Sequence, residues 1–239
     1  MAIPSLKAIA ALTLIVSAVI WSAATSQPDG KVHIWVIGSK RDFSLIIRSQ
    51  EGQTALVNPK SDPVFLEILG KKLPFFDRNL ALVVLTSPGE SSRSSLDTLT
   101  NRYKLAEVWV PDSHPTYSKD IKMIQNLGWE ERERVGLSWQ TWQVPGEVGM
   151  VRLSKNLISL LMIGKSRSEL WSSWPSETTS ALLVGPSAQG GTWPGQPLLS
   201  QFKPDLVITD DRIETVDHLV GGEVEIVWDR DSWYINPNP

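Results

Sequence analysis

The run Leu80–Thr86 constrains the fold of this chain most, because every position in it except the last is apolar. It shows no polar alternation, and such a strand is typical of a sheet that is covered on both faces. A serine-rich stretch, Ser91–Ser95, follows and leads into Ser94–Tyr103, which carries apolar side chains at helical spacing. The sequence therefore predicts a buried strand, a loop and a helix in succession within a layered α/β domain.

The other secondary-structure signals appear first as hairpins and then as alternating strands and helices, in two successive halves of the chain. We predict strands at Val32–Ile37, Phe43–Ile47, Thr54–Val57, Ala106–Val110, Ser138–Val144, Gly149–Leu153, Leu157–Ile163, Ala181–Val184, Leu206–Thr209 and Val224–Trp228, with Trp233–Ile235 as an edge strand. We predict further helices at Val64–Leu73, Ser118–Leu127 and Ser166–Trp174. This order indicates an α/β (α+β) domain in which two sheets pack together with helices outside.

The first 27 residues form a segment of their own, and no charge occurs between Lys7 and Asp29. Ala8–Trp21 is almost wholly apolar and approaches the ~20 residues of a membrane-spanning helix. It is either an uncleaved single-pass anchor, which its length and flanks favour, or a signal peptide cut within Ser22–Ser26, where small residues cluster. A lysine before the apolar run keeps the N-terminus inside. Both alternatives therefore place residues 28–239, as one domain, outside the cytoplasmic membrane.

Composition limits the chemistry that this chain can perform. It has no cysteine, so disulfides and thiolate metal sites are excluded, and its only histidines are His33, His114 and His218. Zinc sites draw heavily on histidine when cysteine is absent, so this scarcity constrains any zinc site severely. A net charge of −3 and a pI of about 5.7 argue against a general nucleic-acid-binding surface.

Five stretches of the sequence carry a family resemblance. Leu69–Arg78 reads LGKKLPFFDR and is similar to a family pattern, L-G-R-x-L-P-F-W-D-R, which precedes the strand that leads to a metal loop. Val36–Asp42 stands where the family has D-V-G-Q-G-D, and Leu56–Lys60 where it has L-I-D-G-G. Ser159–Lys165 and Ala181–Ser187 correspond to S-L-L-L-x-G-D and K-V-x-H-H-G. The chain thus resembles the extracytoplasmic metallo-β-lactamase-like domain of ComEC-type DNA-uptake proteins, which implies an αββα sandwich following a membrane helix.

The positions that hold metal ions in this family carry other residues here. The T-H-x-H-x-D-H loop falls on Ser87, Gly89, Ser91 and Ser92, the later bridging aspartate falls on Lys165, and the second His-His loop falls on Pro186 or Ser187. Two-metal hydrolysis requires imidazoles and carboxylates that hold the ions and generate hydroxide. Serine and glycine offer neither charge nor a strong donor atom, and a lysine places an ammonium where a cation should sit. The departures therefore imply a degenerate domain with no metal cofactor.

Two functions remain open on the sequence. The first is a membrane-tethered, metal-free pseudoenzyme that acts as a scaffold or binding module, with the membrane and a separate DNA-uptake channel as the partners that the resemblance implies. The second is an active metal-dependent hydrolase or nuclease, in which Asp112, His114 and Asp211 would hold zinc or manganese. Arg93 is a further candidate, since the resemblance puts it near the former metal cleft.

Other sites are weaker on the sequence. His33 lies on a predicted strand without neighbouring ligand residues and is expected to be a strand surface or edge residue. A serine hydrolase is rejected because the sequence has no G-x-S-x-G elbow, and the glycines of Gly185–Gly195 lack the spacing of a phosphate loop. A purely structural domain outside the membrane is the remaining alternative, since a fold does not fix a function.

Overall fold

A computed structural model of the chain gives the arrangement of its elements. It describes residues 6–25, 27–39, 42–74, 77–86, 90–110, 122–124, 131–142, 150–156, 158–163, 179–184, 200–209, 223–230 and 232–236.

The described elements are short strands in two groups, with helices in the first half. The helices are α1 (Leu6–Thr25), α2 (Pro63–Lys72) and α3 (Glu90–Thr100). The strands are β1 (Val32–Ser39), β2 (Asp42–Arg48), β3 (Thr54–Val57), β4 (Asn79–Leu80), β5 (Leu82–Val84), β6 (Lys104–Leu105), β7 (Glu107–Trp109), β8 (Lys122–Ile124), β9 (Arg132–Arg134), β10 (Leu137–Trp142), β11 (Met150–Lys155), β12 (Ile158–Ile163), β13 (Ala181–Val184), β14 (Leu206–Thr209), β15 (Glu223–Asp229) and β16 (Ser232–Asn236).

The strands form two large sheets and one small one. The first sheet has the order β16-β15-β1-β2-β3-β5-β7-β8, the second has the order β14-β13-β12-β11-β10-β9, and β4 pairs with β6 separately. In the first sheet β1 and β2 are antiparallel, β2 and β3 are antiparallel, and β3 is parallel to β5. Because two reversals restore the direction, β1, β3 and β5 all run the same way. Loops that follow β3 and β5 therefore leave from one end of the sheet, while the chain enters β1 at the other.

The two-sheet prediction is confirmed, with two corrections to the elements. Leu80–Thr86 contains two strands rather than one, because β4 pairs with β6 in the small sheet whereas β5 pairs with β3 and β7 in the first sheet. The predicted helix Ser118–Leu127 is wrong at Lys122–Ile124, which is strand β8 and pairs in parallel with β7. A short apolar run fits either state, and pairing with a neighbouring strand decides it. The predicted helix Ser166–Trp174 lies outside the described residues.

Alternation along the strands of the first sheet produces two separate cores. Side chains that point to one face, such as Ile34 and Leu45, pack against Trp139 and Leu153 of the second sheet. Side chains that point to the other face pack against α2 and α3, and they include Trp35, Ile46, Leu56 and Val83. The period of two in an extended chain explains this division. The first sheet is therefore covered on both faces, as the apolar run predicted.

The start and the last turn of helix α2 carry residues that are typical of those positions in a helix. The Asp62 carboxylate accepts a hydrogen bond from the Phe65 backbone N–H at 2.9 Å, and Pro63 occupies the first helical position. Both are typical of a helix start, since that end has unpaired N–H groups. Lys71 and Lys72 occupy the last turn, where positive charge complements the helix dipole.

Helix α1 covers the apolar N-terminal segment and exposes most of its large apolar side chains. Leu14 is 72% exposed and Trp21 is 75% exposed. Within the described part of the chain, no helix meets the combined requirement of length and hydropathy for crossing a membrane.

Candidate functional site

The end of the first sheet at which β3 and β5 finish, here called the cleft end, is where the resemblance predicts the metal loop. Asn58 follows β3, Thr86 follows β5, and α3 begins at Glu90. The carboxyl ends of neighbouring parallel strands meet at one edge of a sheet, which is the usual place for a site in such folds. The strand, loop and helix that carry the predicted site are therefore present in the predicted order.

Asn58 and Thr86 join the two strand ends through their side chains. The Asn58 Oδ1 accepts from the Thr86 backbone N–H at 2.9 Å, and its Nδ2 donates to the Thr86 Oγ1 at 2.8 Å. The Ser44 hydroxyl donates to the Asn58 carbonyl at 2.6 Å, which adds β2 to the same network. Asn58 has a φ of 45°, a left-handed conformation that asparagine adopts more readily than most residues. This network is neutral, and the Asn58 amide is committed to Thr86.

Three predicted site residues lie in the first turn of α3. Ser91 is exposed, and its carbonyl accepts a hydrogen bond from the Ser95 hydroxyl at 2.8 Å. Ser92 is half-buried and Arg93 is exposed. A serine hydroxyl is a weak, neutral ligand compared with imidazole or carboxylate. Ser91 and Ser92 therefore do not fit the donor set that a two-metal hydrolase needs.

The other predicted site positions lie outside the described residues. They are Ser87, Gly89, Asp112, His114, Lys165, Pro186 and Asp211. Their assignment as degenerate or alternative ligand positions stays a prediction. Within the described ranges, no group of three histidine, aspartate or glutamate side chains is arranged to hold a metal ion.

Sequence reasoning missed a charged cluster around His33 at the opposite end of the first sheet. The His33 Nδ1 lies 2.7 Å from the Glu225 Oε1, and its Nε2 lies 3.0 Å from the Asp29 Oδ2. The ring also stacks on Trp35 with centroids 5.5 Å apart and an interplanar angle of 15°. His33 is on the strand surface as predicted, but 192 positions separate it from Glu225. The antiparallel pairing of β1 with β15 brings them together, and no sequence pattern signals that pairing.

The ionisation of Asp29 depends on this cluster. Burial opposes the charged form of Asp29, but the Lys31 backbone N–H, the His33 ring and the nearby positive charges outweigh it. The net result is a pKa of Asp29 below its usual value. The carboxylate therefore stays charged at neutral pH and connects the segment after α1 to β1.

Solved structures identify the class of fold. The metallo-β-lactamase fold protein YhfI from Bacillus subtilis aligns with a TM-score of 0.53 and 12% identity, over 83% of this chain and 99% of that one. A diphosphatase from the PhnP family aligns with a TM-score of 0.52 and 10% identity, over 83% of this chain and 98% of that one. The chain therefore has a metallo-β-lactamase fold. At this identity the similarity shows the fold alone.

Sequence comparison adds no narrower assignment. No protein-family model matches this sequence, and no curated protein sequence matches it either. The ComEC-type resemblance thus stays a prediction that rests on the five quoted stretches.

Proposed function

We propose that this chain is a metal-free pseudoenzyme, in which a metallo-β-lactamase fold serves as a scaffold or binding module. The observation that carries the proposal is the chemistry of the cleft end. Asn58 stands where the resembled family has an aspartate, and its neutral amide is bonded to Thr86. Ser91 and Ser92, which stand at two positions of the family's metal loop, supply only hydroxyls in the first turn of α3.

A metal analysis paired with activity assays tests this proposal directly. The full chain, purified without chelator, is assayed for zinc and manganese per mole of protein, and for hydrolysis of DNA and of phosphodiester and ester substrates. We expect metal far below one equivalent and no hydrolysis above a blank. The chain would be an active hydrolase instead if it held stoichiometric zinc or manganese and if the His114→Ala variant lost both metal and activity.

Membrane attachment through α1 is the second part of the proposal. Leu14, Ile15 and Ile20 are each more than half exposed, and Lys7 is the only charged residue of the helix. Exposed apolar surface of this extent marks a contact with lipid or protein. Flotation with phosphatidylcholine vesicles tests it, with removal of residues 1–27 as the control. We expect the full chain to float and the shortened chain to stay at the bottom of the gradient.

A role in DNA uptake is the third part, and it follows from the family resemblance alone. A scaffold of this kind would work beside a separate membrane channel that conducts DNA. Cross-linking in native membranes, followed by identification of the captured membrane protein, tests this part. Capture of a polytopic channel protein supports it, whereas intact transformation in a strain that lacks the chain refutes it.

A further inference from the structure

An open cavity of about 310 Å³ lies on the outer face of the first sheet, beside the segment that follows α1. We call it the linker cavity, and its lining includes Asp29, Arg48, Ser49, Lys71, Lys72 and Glu225. Small-molecule sites range over about 300–1,000 Å³, so this volume suits a compact group. The cavity borders the start of β1 and the last turn of α2, so it lies at the end of the sheet opposite the cleft end.

The carboxylates in the lining already have partners. The Glu225 Oε1 contacts the His33 Nδ1 at 2.7 Å, and its Oε2 accepts from the Asn236 Nδ2 at 2.6 Å. The Asp29 Oδ1 accepts from the Lys31 backbone N–H at 3.0 Å, and both Asp29 oxygens contact the His33 Nε2. The acceptor capacity of the lining is therefore largely used within the protein.

The two lysines of the lining have more N–H groups than their ion pairs use. In the described part of the chain, Lys71 contacts the carboxylate of Glu67 at 2.8 Å and Lys72 contacts that of Glu223 at 2.6 Å, while each ammonium has three N–H groups. Neither glutamate lines the cavity. Because Asp29 and Glu225 belong to the same lining, the feature that a ligand must bring to the two lysines is a set of acceptor oxygens.

Ser49 adds a buried donor to the same wall. The residue is 2% exposed, and its Oγ accepts from the backbone N–H groups of Glu51 and Gln53 at 3.2 and 3.1 Å. A hydroxyl that accepts twice still has its proton to donate. Arg48 contributes a permanent positive charge on the adjoining position of β2.

We propose that the linker cavity binds a phosphate group through Lys71, Lys72, Arg48 and Ser49. Either an anionic lipid headgroup or a free phosphate compound would supply this chemistry. The position beside the segment after α1 favours the headgroup, and this preference rests on the proposed attachment of α1 to a membrane. The negative surface of an anionic bilayer attracts basic residues by about 1 kcal/mol each, which is about fivefold in partitioning.

The first experiment needs no membrane. Inorganic phosphate is titrated into the full chain in an uncharged detergent, by calorimetry at constant ionic strength. Lys71→Met is the test variant, because that side chain is 69% exposed and its exposed ion pair with Glu67 contributes little to stability. Lys203→Met removes one charge from an exposed lysine outside the cavity and serves as the matched control. We expect about fivefold weaker phosphate binding for Lys71→Met and unchanged binding for Lys203→Met.

The second experiment distinguishes the source of the phosphate. Flotation is compared between pure phosphatidylcholine vesicles and vesicles with phosphatidylcholine and phosphatidylglycerol at about 3:1, which carry a negative surface. Stronger flotation with the anionic vesicles, lost in Lys71→Met and kept in Lys203→Met, assigns a lipid headgroup. Phosphate binding without that preference assigns a free phosphate compound.

Two results overturn the inference. One is the absence of both phosphate binding and a preference for anionic vesicles, and the other is an equal loss in Lys71→Met and Lys203→Met. Failure of the chain to float with any vesicle, while phosphate still binds, refutes only the membrane attachment.

Discussion

Replacing Asn58 should lower the free energy of unfolding for two reasons. The side chain loses its hydrogen bonds, and the backbone is strained at a positive φ. Its amide makes hydrogen bonds of 2.9 and 2.8 Å to Thr86, which is 4% exposed. In Asn58→Ala the buried Thr86 N–H loses its acceptor, which costs about 1–3 kcal/mol. The φ of 45° adds strain of about 1 kcal/mol for alanine. The expected loss in free energy of unfolding is therefore about 2–4 kcal/mol.

Two further substitutions of Asn58 separate these contributions. Asn58→Gly removes the amide but relieves the left-handed strain, so it should lie between the alanine variant and the wild type. Asn58→Asp keeps an acceptor for the Thr86 N–H and lets the Thr86 hydroxyl donate to the second oxygen. We expect the aspartate variant to be the least destabilised of the three, because it keeps the buried donor paired.

Urea denaturation measures these differences, provided that the three variants share one slope with the wild type. Amide hydrogen exchange at Thr86 gives an independent readout, which should quicken in the alanine and glycine variants and stay slow in the aspartate variant. The reasoning is refuted if Asn58→Ala unfolds within about 0.5 kcal/mol of the wild type, which is the scatter of ordinary surface substitutions.

Three other substitutions test the fold and the segment after α1. Gly52→Ala should destabilise more than Gly136→Ala in urea denaturation, because both have positive φ (83° and 65°) but only at Gly52 would a Cβ lie 2.7 Å from the Pro28 Cγ. Trp139→Ala should lower the free energy of unfolding by about 3–5 kcal/mol, since the ring is fully buried between the sheets. Asp29→Asn should be less stable than the wild type above the ordinary aspartate pKa, and the difference should vanish as pH falls through the lowered pKa of Asp29.

The sequence predicted the strands of this fold well where local patterns decide them. Thr54–Val57, Ala181–Val184 and Leu206–Thr209 have the predicted bounds, because apolar runs between turn residues specify strands in either sheet. Lys122–Ile124 lies within the predicted helix Ser118–Leu127, and its pairing with β7 makes it a strand. Local sequence patterns therefore determine the secondary structure of most segments, whereas pairing with a neighbouring strand determines it for the ambiguous ones.

The sequence could predict a site only where the residues of that site are close together along the chain. The strand, loop and helix around Ser91 and Ser92 follow one another in sequence, so a family pattern could place them. The link between Asn58 and Thr86 joins residues 28 positions apart, and it depends on the parallel register of β3 and β5. A single sequence does not contain that register. The same limit applies to the His33 cluster, which assembles from both ends of the chain.

The direction of β1, β3 and β5 places the two candidate regions at opposite ends of one sheet, so they can be tested separately. At the cleft end the strands are joined by a neutral network that uses its own donors and acceptors. The linker cavity is lined by Lys71 and Lys72, and each of their ammonium groups has three N–H groups. If the chain binds a phosphate group, amide exchange should therefore slow at Ser49 and at the start of β1, and stay unchanged at Thr86. Protection at Thr86 instead would move the binding site to the cleft end and contradict the assignment of the linker cavity.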